Sequence, residues 1–192
     1  MDQRQTIKNL KISEEFCREL ENKGVNAYLC ITHPEVIGCD ESRKYYSRCN
    51  ELAGYDYSIC KHLVLRERKG QKRLYMLIVD DDTKVDLKTV KEQLQCSKLE
   101  FASDSDLSTK LDTYQGNVSV FNIEYDSNNE INLIIDENLL KSSLLAFHPK
   151  YNGKSLFISP DNLLKYLSCI NKKVLFTQIP KQETQKDLVK VL

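Results

Sequence analysis

Ala146-Phe147-His148-Pro149-Lys150-Tyr151-Asn152 closes an apolar run that begins near Leu139 and hands the chain to a second short apolar segment, 155–158. Residues 144–147 read as a strand that His148-Pro149 ends, because proline brings no amide to a ladder. Asn152-Gly153 supplies the turn before the next strand. Further on, Ser159-Pro160-Asp161 is a helix start with proline in the first turn, and Leu163, Leu164 and Leu167 give that helix its apolar face.

Upstream of the run, residues 118–125 and 131–135 read as two strands around an Asp126-Ser127-Asn128-Asn129 turn, a hairpin pattern. A second hairpin is expected at 63–68 and 73–79 around Lys69-Gly70-Gln71. Asp86 is placed to cap a helix through 94, and Ser103 or Asp104 one through 111. Nearer the N-terminus, Ser13 precedes Glu14-Glu15 and the helical pair Phe16/Leu20, with Gly24 as the stop. A strand at 25–31 ends at Thr32-His33-Pro34, and a helix starts at Asp40 and runs towards 52. Hairpins with interspersed helices imply an α+β fold with a mixed, mainly antiparallel sheet. Length supports a single domain, expected over 1–179, with a polar C-terminal tail at 180–192.

Formal net charge is zero, so no chain-wide cation excess advertises nucleic acid, and contact with an RNA end would need only a local patch. The apolar runs are too short to cross a bilayer, and Met1-Asp2-Gln3-Arg4-Gln5 is unlike a secretory leader. Seven cysteines form no CxxC pair and have no zinc-ligand spacing, which favours free thiols and a cytoplasmic setting. Asp80-Asp81-Asp82 follows a strand and reads as a solvated turn rather than a cation site. No Walker, Rossmann or nucleophile-elbow pattern occurs.

Three residues stand out chemically. Lys61 puts a cation at the start of an apolar strand, either as a snorkelling side chain or to hold an anionic or polarised oxygen. His148 is either a core histidine satisfied by the backbone or one fixed to orient a substrate. Gly116 is either a turn glycine or a point where backbone closely approaches a ligand.

Taken together with the text between them, these residues resemble the YbaK/ProX-like prolyl-tRNA editing family. The elements that carry the likeness are His33-Pro34, Lys61-His62, Val85-Asp86-Leu87-Lys88, Phe101-Ala102-Ser103 and Gly116-Asn117-Val118-Ser119-Val120. Asp136-Glu137-Asn138-Leu139, Phe147-His148-Pro149-Lys150-Tyr151-Asn152 and Ser159-Pro160-Asp161-Asn162-Leu163 complete it. The likeness covers about 14–168. Two positions depart from the family pattern: Val120 stands where a loop proline is usual, and His62 where an asparagine is usual.

The resemblance implies a barrel-like sheet and an aminoacyl-tRNA deacylase, freestanding or the N-terminal editing domain of a prolyl-tRNA synthetase. The implied reaction is metal-free hydrolysis of mischarged tRNA(Pro), most typically alanyl-tRNA(Pro), without a cofactor. Lys61, Gly116 and His148 are then the catalytic positions. His33, His62, Val118, Ser119, Val120, Phe121, Phe147 and Asn152 are implied substrate-binding positions. Expected partners are the acceptor end of tRNA(Pro) and a prolyl-tRNA synthetase, with no membrane. The alternatives are a non-catalytic aminoacyl-tRNA-binding module of the same fold, or a Cys- or Ser-tRNA deacylase.

Overall fold

The structure, a computed structural model, describes residues 3–36, 38–96 and 98–182. Among the described residues, eight strands make one mixed sheet: β1 (Ala27–Thr32), β2 (Tyr57–Glu67), β3 (Leu74–Asp80), β4 (Leu99–Phe101), β5 (Ile131–Asp136), β6 (Leu144–Phe147), β7 (Lys154–Ile158) and β8 (Val174–Thr177). Their order is β1-β7-β6-β2-β3-β5-β8, with β4 beside the far end of β2. Pairs β1/β7, β6/β7, β2/β3 and β2/β4 are antiparallel, while β2/β6, β3/β5 and β5/β8 are parallel. Around the sheet lie α1 (Gln3–Asn22), α2 (Cys39–Tyr46), α3 (Leu87–Gln93), α4 (Asp104–Leu111) and α5 (Pro160–Cys169).

Strand β3 is apolar from Leu74 to Val79 because both faces of the sheet are covered there. Met76 and Ile78 face a core shared with Phe16, Phe121 and Tyr166, while Tyr75, Leu77 and Val79 face a second core under α3. A third cluster, with Tyr46, Ile59, Ala146 and Phe157, packs α2 against the β6/β7 end. Full burial of each large apolar side chain is worth about 1.5–3 kcal/mol.

The expected helix starts at Asp86, Ser103 and Ser159 are where the structure has them. Asp86 accepts from the Lys88 amide, Ser103 forms a reciprocal capping box with Asp106, and Ser159 accepts from the Asn162 amide ahead of Pro160. Ser13, by contrast, is interior to α1 and buried, with its Oγ donating to the Pro149 carbonyl at 2.7 Å. A tertiary acceptor, not a helix end, satisfies that hydroxyl.

The expected 118–125 strand and its hairpin are absent. Ser119 and Asn122 cap each other's backbone at the start of a 3₁₀ helix, Val120–Tyr125. Its apolar residues reflect full burial of Val120, Phe121 and Ile123, not strand alternation. Asp126 then accepts from the Glu130 and Ile131 amides, and β5 enters the sheet parallel to β3. Order also runs past the expected boundary at 179. The Asp86 amide donates to the Pro180 carbonyl at 2.8 Å and the Gln182 amide to the Lys84 carbonyl at 2.7 Å. The rest of the expected tail, 183–192, lies outside the described residues. Among those described, no helix is long and apolar enough to cross a membrane.

Candidate functional site

The long strand β2 changes neighbours along one edge. Tyr57, Ser58 and Ile59 pair with β6, and Leu65, Arg66 and Glu67 pair with β4. Between them the two neighbours diverge, and a cavity of about 400 Å³ opens over residues 60–64. Lys61, Gly116 and His148, distant in sequence, all line it, together with His62, Val118, Phe147 and Asn152.

Lys61 is the fifth residue of β2, not its first, and is half-buried. Its ammonium donates to the Asp81 carbonyl at 2.8 Å and the Thr83 carbonyl at 2.5 Å. The same turn is gripped by Arg43, whose guanidinium reaches Asp81 at 2.6 Å and Asp82 at 3.2 Å. The Asp80, Asp81 and Asp82 carboxylates lie within 4.8 Å of one another, and Arg43 pairs with two of them, Asp81 and Asp82. Burial, opposed by Arg43, pushes the Asp81 carboxyl up.

Gly116 has φ +86°, and a Cβ there would meet nothing within 4 Å, so the backbone conformation is what calls for glycine. Its loop is sewn to the 148–152 segment. Asn117 Nδ2 donates to the Lys150 carbonyl at 3.0 Å, the Asn152 amide donates to Asn117 Oδ1 at 3.1 Å, and Ser119 Oγ donates to the His148 carbonyl at 2.6 Å. Asn152 Nδ2 reaches back to the Val36 carbonyl at 2.7 Å. The Asn152-Gly153 turn is tight, since a Cβ on Gly153 would stand 2.5 Å from the Tyr151 ring.

Two imidazoles face the cavity, 6.1 Å apart between ring centroids. His62 is half-buried as a residue, yet its Nε2 is sealed from solvent without a hydrogen-bond partner, and so is Nδ1 of His148. Burial first, and His148 second, push the His62 pKa down to about 3. Burial pushes His148 down to about 4, against a hydrogen bond to the Val118 backbone that holds it up. Both rings are therefore neutral at neutral pH. Cys60 is buried, and burial raises its thiol well above the usual range, so it is not a ready nucleophile.

Four of the implied substrate-binding residues are not in the cavity wall. Ser119, Val120 and Phe121 are fully buried as cap and core of the 3₁₀ helix. Val120 is thus a packed helix residue rather than a slack loop position. His33 lies behind the wall, hydrogen bonded to Ser155 and stacked on Tyr45. In their place the wall includes Ser42, Tyr46 and Ser155. No local signal marks these three, because only the α2 packing and the β1/β7 ladder bring them to the site.

Comparison with known proteins shows which family the chain resembles. The aminoacyl-tRNA editing domain family matches residues 47–166. The chain is 34% identical over 138 residues to the prolyl-tRNA editing protein ProX of Acetoanaerobium sticklandii, covering 72% of this chain and 80% of that protein. It is 27% identical over 156 residues to the prolyl-tRNA synthetase associated domain-containing protein 1 of Danio rerio, covering 80% and 78%. Among solved structures, a candidate trans-editing enzyme for prolyl-tRNA synthetase superposes with a TM-score of 0.62 at 16% identity, over 89% of this chain and 98% of that one. A scaffold used for computational epitope grafting gives 0.66 at 16% identity, over 90% and 98%. These two show a shared fold. With its family match and its curated relative, the chain belongs to the aminoacyl-tRNA editing domain family and is an aminoacyl-tRNA deacylase.

Proposed function

We propose that the chain edits tRNA(Pro) in trans, removing alanine from mischarged alanyl-tRNA(Pro) by hydrolysis without a metal or cofactor. The observation that carries this reading is the one cavity that gathers Lys61, Gly116 and His148 from three separate segments. Its inner wall is apolar, with Val64, Leu107, Ala146 and Phe147 buried around it, which suits a small aliphatic side chain. His62 and His148 line the same cavity as neutral rings.

Such an activity answers a physical limit. A synthetase pocket shaped for proline cannot strongly reject a smaller side chain, because each missing methylene is worth only about 1–3 kcal/mol. A second, smaller pocket hydrolyses what fits and excludes proline by size. In this reading Lys61 holds the terminal phosphate or ester oxygen, and the Gly116 loop positions the attacking water. His148 lines the aminoacyl pocket. Phe101, 62% exposed at the cavity, offers a stacking face to the terminal base. The acceptor end of tRNA(Pro) is the partner, and a prolyl-tRNA synthetase is the enzyme whose errors it corrects.

A deacylation panel with Ala-, Cys-, Ser- and Pro-tRNA(Pro), run with and without EDTA, tests this. Alanyl-tRNA(Pro) is expected to turn over fastest, prolyl-tRNA(Pro) slowest, and EDTA to have no effect. Preference for Cys- or Ser-tRNA would reassign the amino acid. Binding without turnover of any substrate would make the chain a binding module, and loss with EDTA restored by zinc would overturn the mechanism.

A further inference from the structure

A hydrogen-bonded chain runs from the cavity wall into the fold behind it, and its direction can be worked out atom by atom. His33 Nδ1 lies 2.7 Å from the Pro34 carbonyl. A carbonyl only accepts, so Nδ1 carries the ring proton. In the neutral ring Nε2 then holds a lone pair, and it sits 2.7 Å from Ser155 Oγ, which must donate to it. With its one hydrogen committed, Ser155 can only accept from Tyr46 Oη, also 2.7 Å away. One backbone carbonyl therefore orders the sequence Tyr46 to Ser155 to His33 to Pro34. Ser155 and Tyr46 line the cavity, and Ser155 Oγ keeps one acceptor lone pair uncommitted.

We propose that His33 is the proton acceptor of the deacylation, acting through Ser155, whose free lone pair accepts from the attacking water that the Gly116 loop positions. The inference rests on the cavity being the deacylation site, as proposed above. The water oxygen forms a bond to the ester carbonyl carbon, and the carbonyl π pair moves onto its oxygen, to be returned when the adduct collapses. The water passes a proton to Ser155 Oγ as the Ser155 proton moves to His33 Nε2. The imidazolium keeps its Nδ1 proton on the Pro34 carbonyl. Collapse of the tetrahedral adduct breaks the bond from carbon to ribose oxygen, and the electron pair leaves on that oxygen. The proton returns along the same chain to complete the ribose hydroxyl, so the free amino acid, the tRNA and the starting relay are restored.

The other two histidines suit this task poorly. Burial lowers them to about 3 and about 4, which leaves them weak bases at neutral pH. The titratable groups that face His33 are Tyr45, stacked on its ring at 5.3 Å, Tyr46 across Ser155, His148, and Lys154 opposite Thr32. Charge on His33 and charge on His148 oppose each other, which adds to burial in keeping His148 neutral. His33 positions and deprotonates through Ser155 and does not itself touch the ester.

The test is the pH profile of kcat under saturating alanyl-tRNA(Pro) for wild type, His33→Gln and Ser155→Ala. Wild-type kcat should rise with pH along an acid limb and then level off. His33→Gln should lower kcat by about a hundredfold to ten-thousandfold and abolish that acid limb, with KM nearly unchanged. If His33→Gln does not fold, Ser155→Ala, which removes one oxygen, should give the same loss of limb and rate. A variant that folds and keeps both the limb and the wild-type kcat overturns the relay. An acyl group found on Ser155 by intact mass after acid quench also overturns it, making Ser155 a nucleophile. A wild-type protein that turns over no aminoacyl-tRNA points to a different failure, that of the substrate reading itself.

Discussion

At Lys61 the ammonium already holds the Asp81 and Thr83 carbonyls, so the charge is anchored before substrate arrives. Lys61→Ala should lower deacylation by about a hundredfold to a thousandfold, the usual effect of losing one preorganised charge-stabilising contact. Because two carbonyls also lose their donor, its melting temperature should fall modestly, and equal rates in mutant and wild type would remove Lys61 from the chemistry. Cys60 makes the opposite case. A buried thiol pushed well above its usual range is no nucleophile at neutral pH, so Cys60→Ser should keep its rate within a few fold in the same assay. Abolished turnover with tRNA binding intact would reveal a covalent route.

At the scale of elements, the 3₁₀ helix Val120–Tyr125 is the part that links core to site. Ser119 caps it and also donates to the His148 carbonyl at 2.6 Å. Ser119→Ala should cost about 1 kcal/mol by urea unfolding, as cap losses do, and should slow turnover by loosening His148. An activity that stays level as stability drops would separate the helix from the site. Val120→Pro is a different change. Val120 is the first residue of the helix, where proline is tolerated, and it faces the core rather than substrate. Rates on alanyl- and prolyl-tRNA(Pro) should therefore move together; a shift in their ratio would restore Val120 to a role in discrimination.

Across the whole molecule, two histidines buried as neutral rings make stability depend on acid. In the unfolded chain they take up protons near pH 6.5, whereas the folded protein resists until about pH 4 for His148 and about pH 3 for His62. The unfolded state binds more protons in that window, so stability is complete above about pH 6.5 and declines as pH falls towards the folded values. Replacing one ring, as in His62→Asn, should flatten the dependence of urea midpoint on pH between about 6.5 and 4.5. An unchanged slope would mean the rings are more solvated than the fold indicates. A second global contact is the buried pair of Lys172 and Asp126, which ties the turn after α5 to the turn before β5. Lys172→Met leaves that carboxylate buried without its cation and should cost about 3–5 kcal/mol, read from the same unfolding curves.

The local code was legible wherever a short-range rule decided the outcome. Asp86, Ser103 and Ser159-Pro160 start helices because their side chains or ring act on amides within three residues. Lys61, Gly116 and His148, with the motifs between them, likewise carried the resemblance to the editing family. What the sequence could not settle were choices made at long range. Ser13 looks like a cap until a carbonyl 136 residues away claims its hydroxyl. Residues 118–125 look like a strand because burial and alternation both give apolar text, and only packing against Phe16 and Tyr166 distinguishes them. Likewise, the family resemblance implied that His33 is a substrate ligand. The β1/β7 ladder puts Ser155 between His33 and the cavity, so tertiary structure alone turns that histidine into the end of a relay.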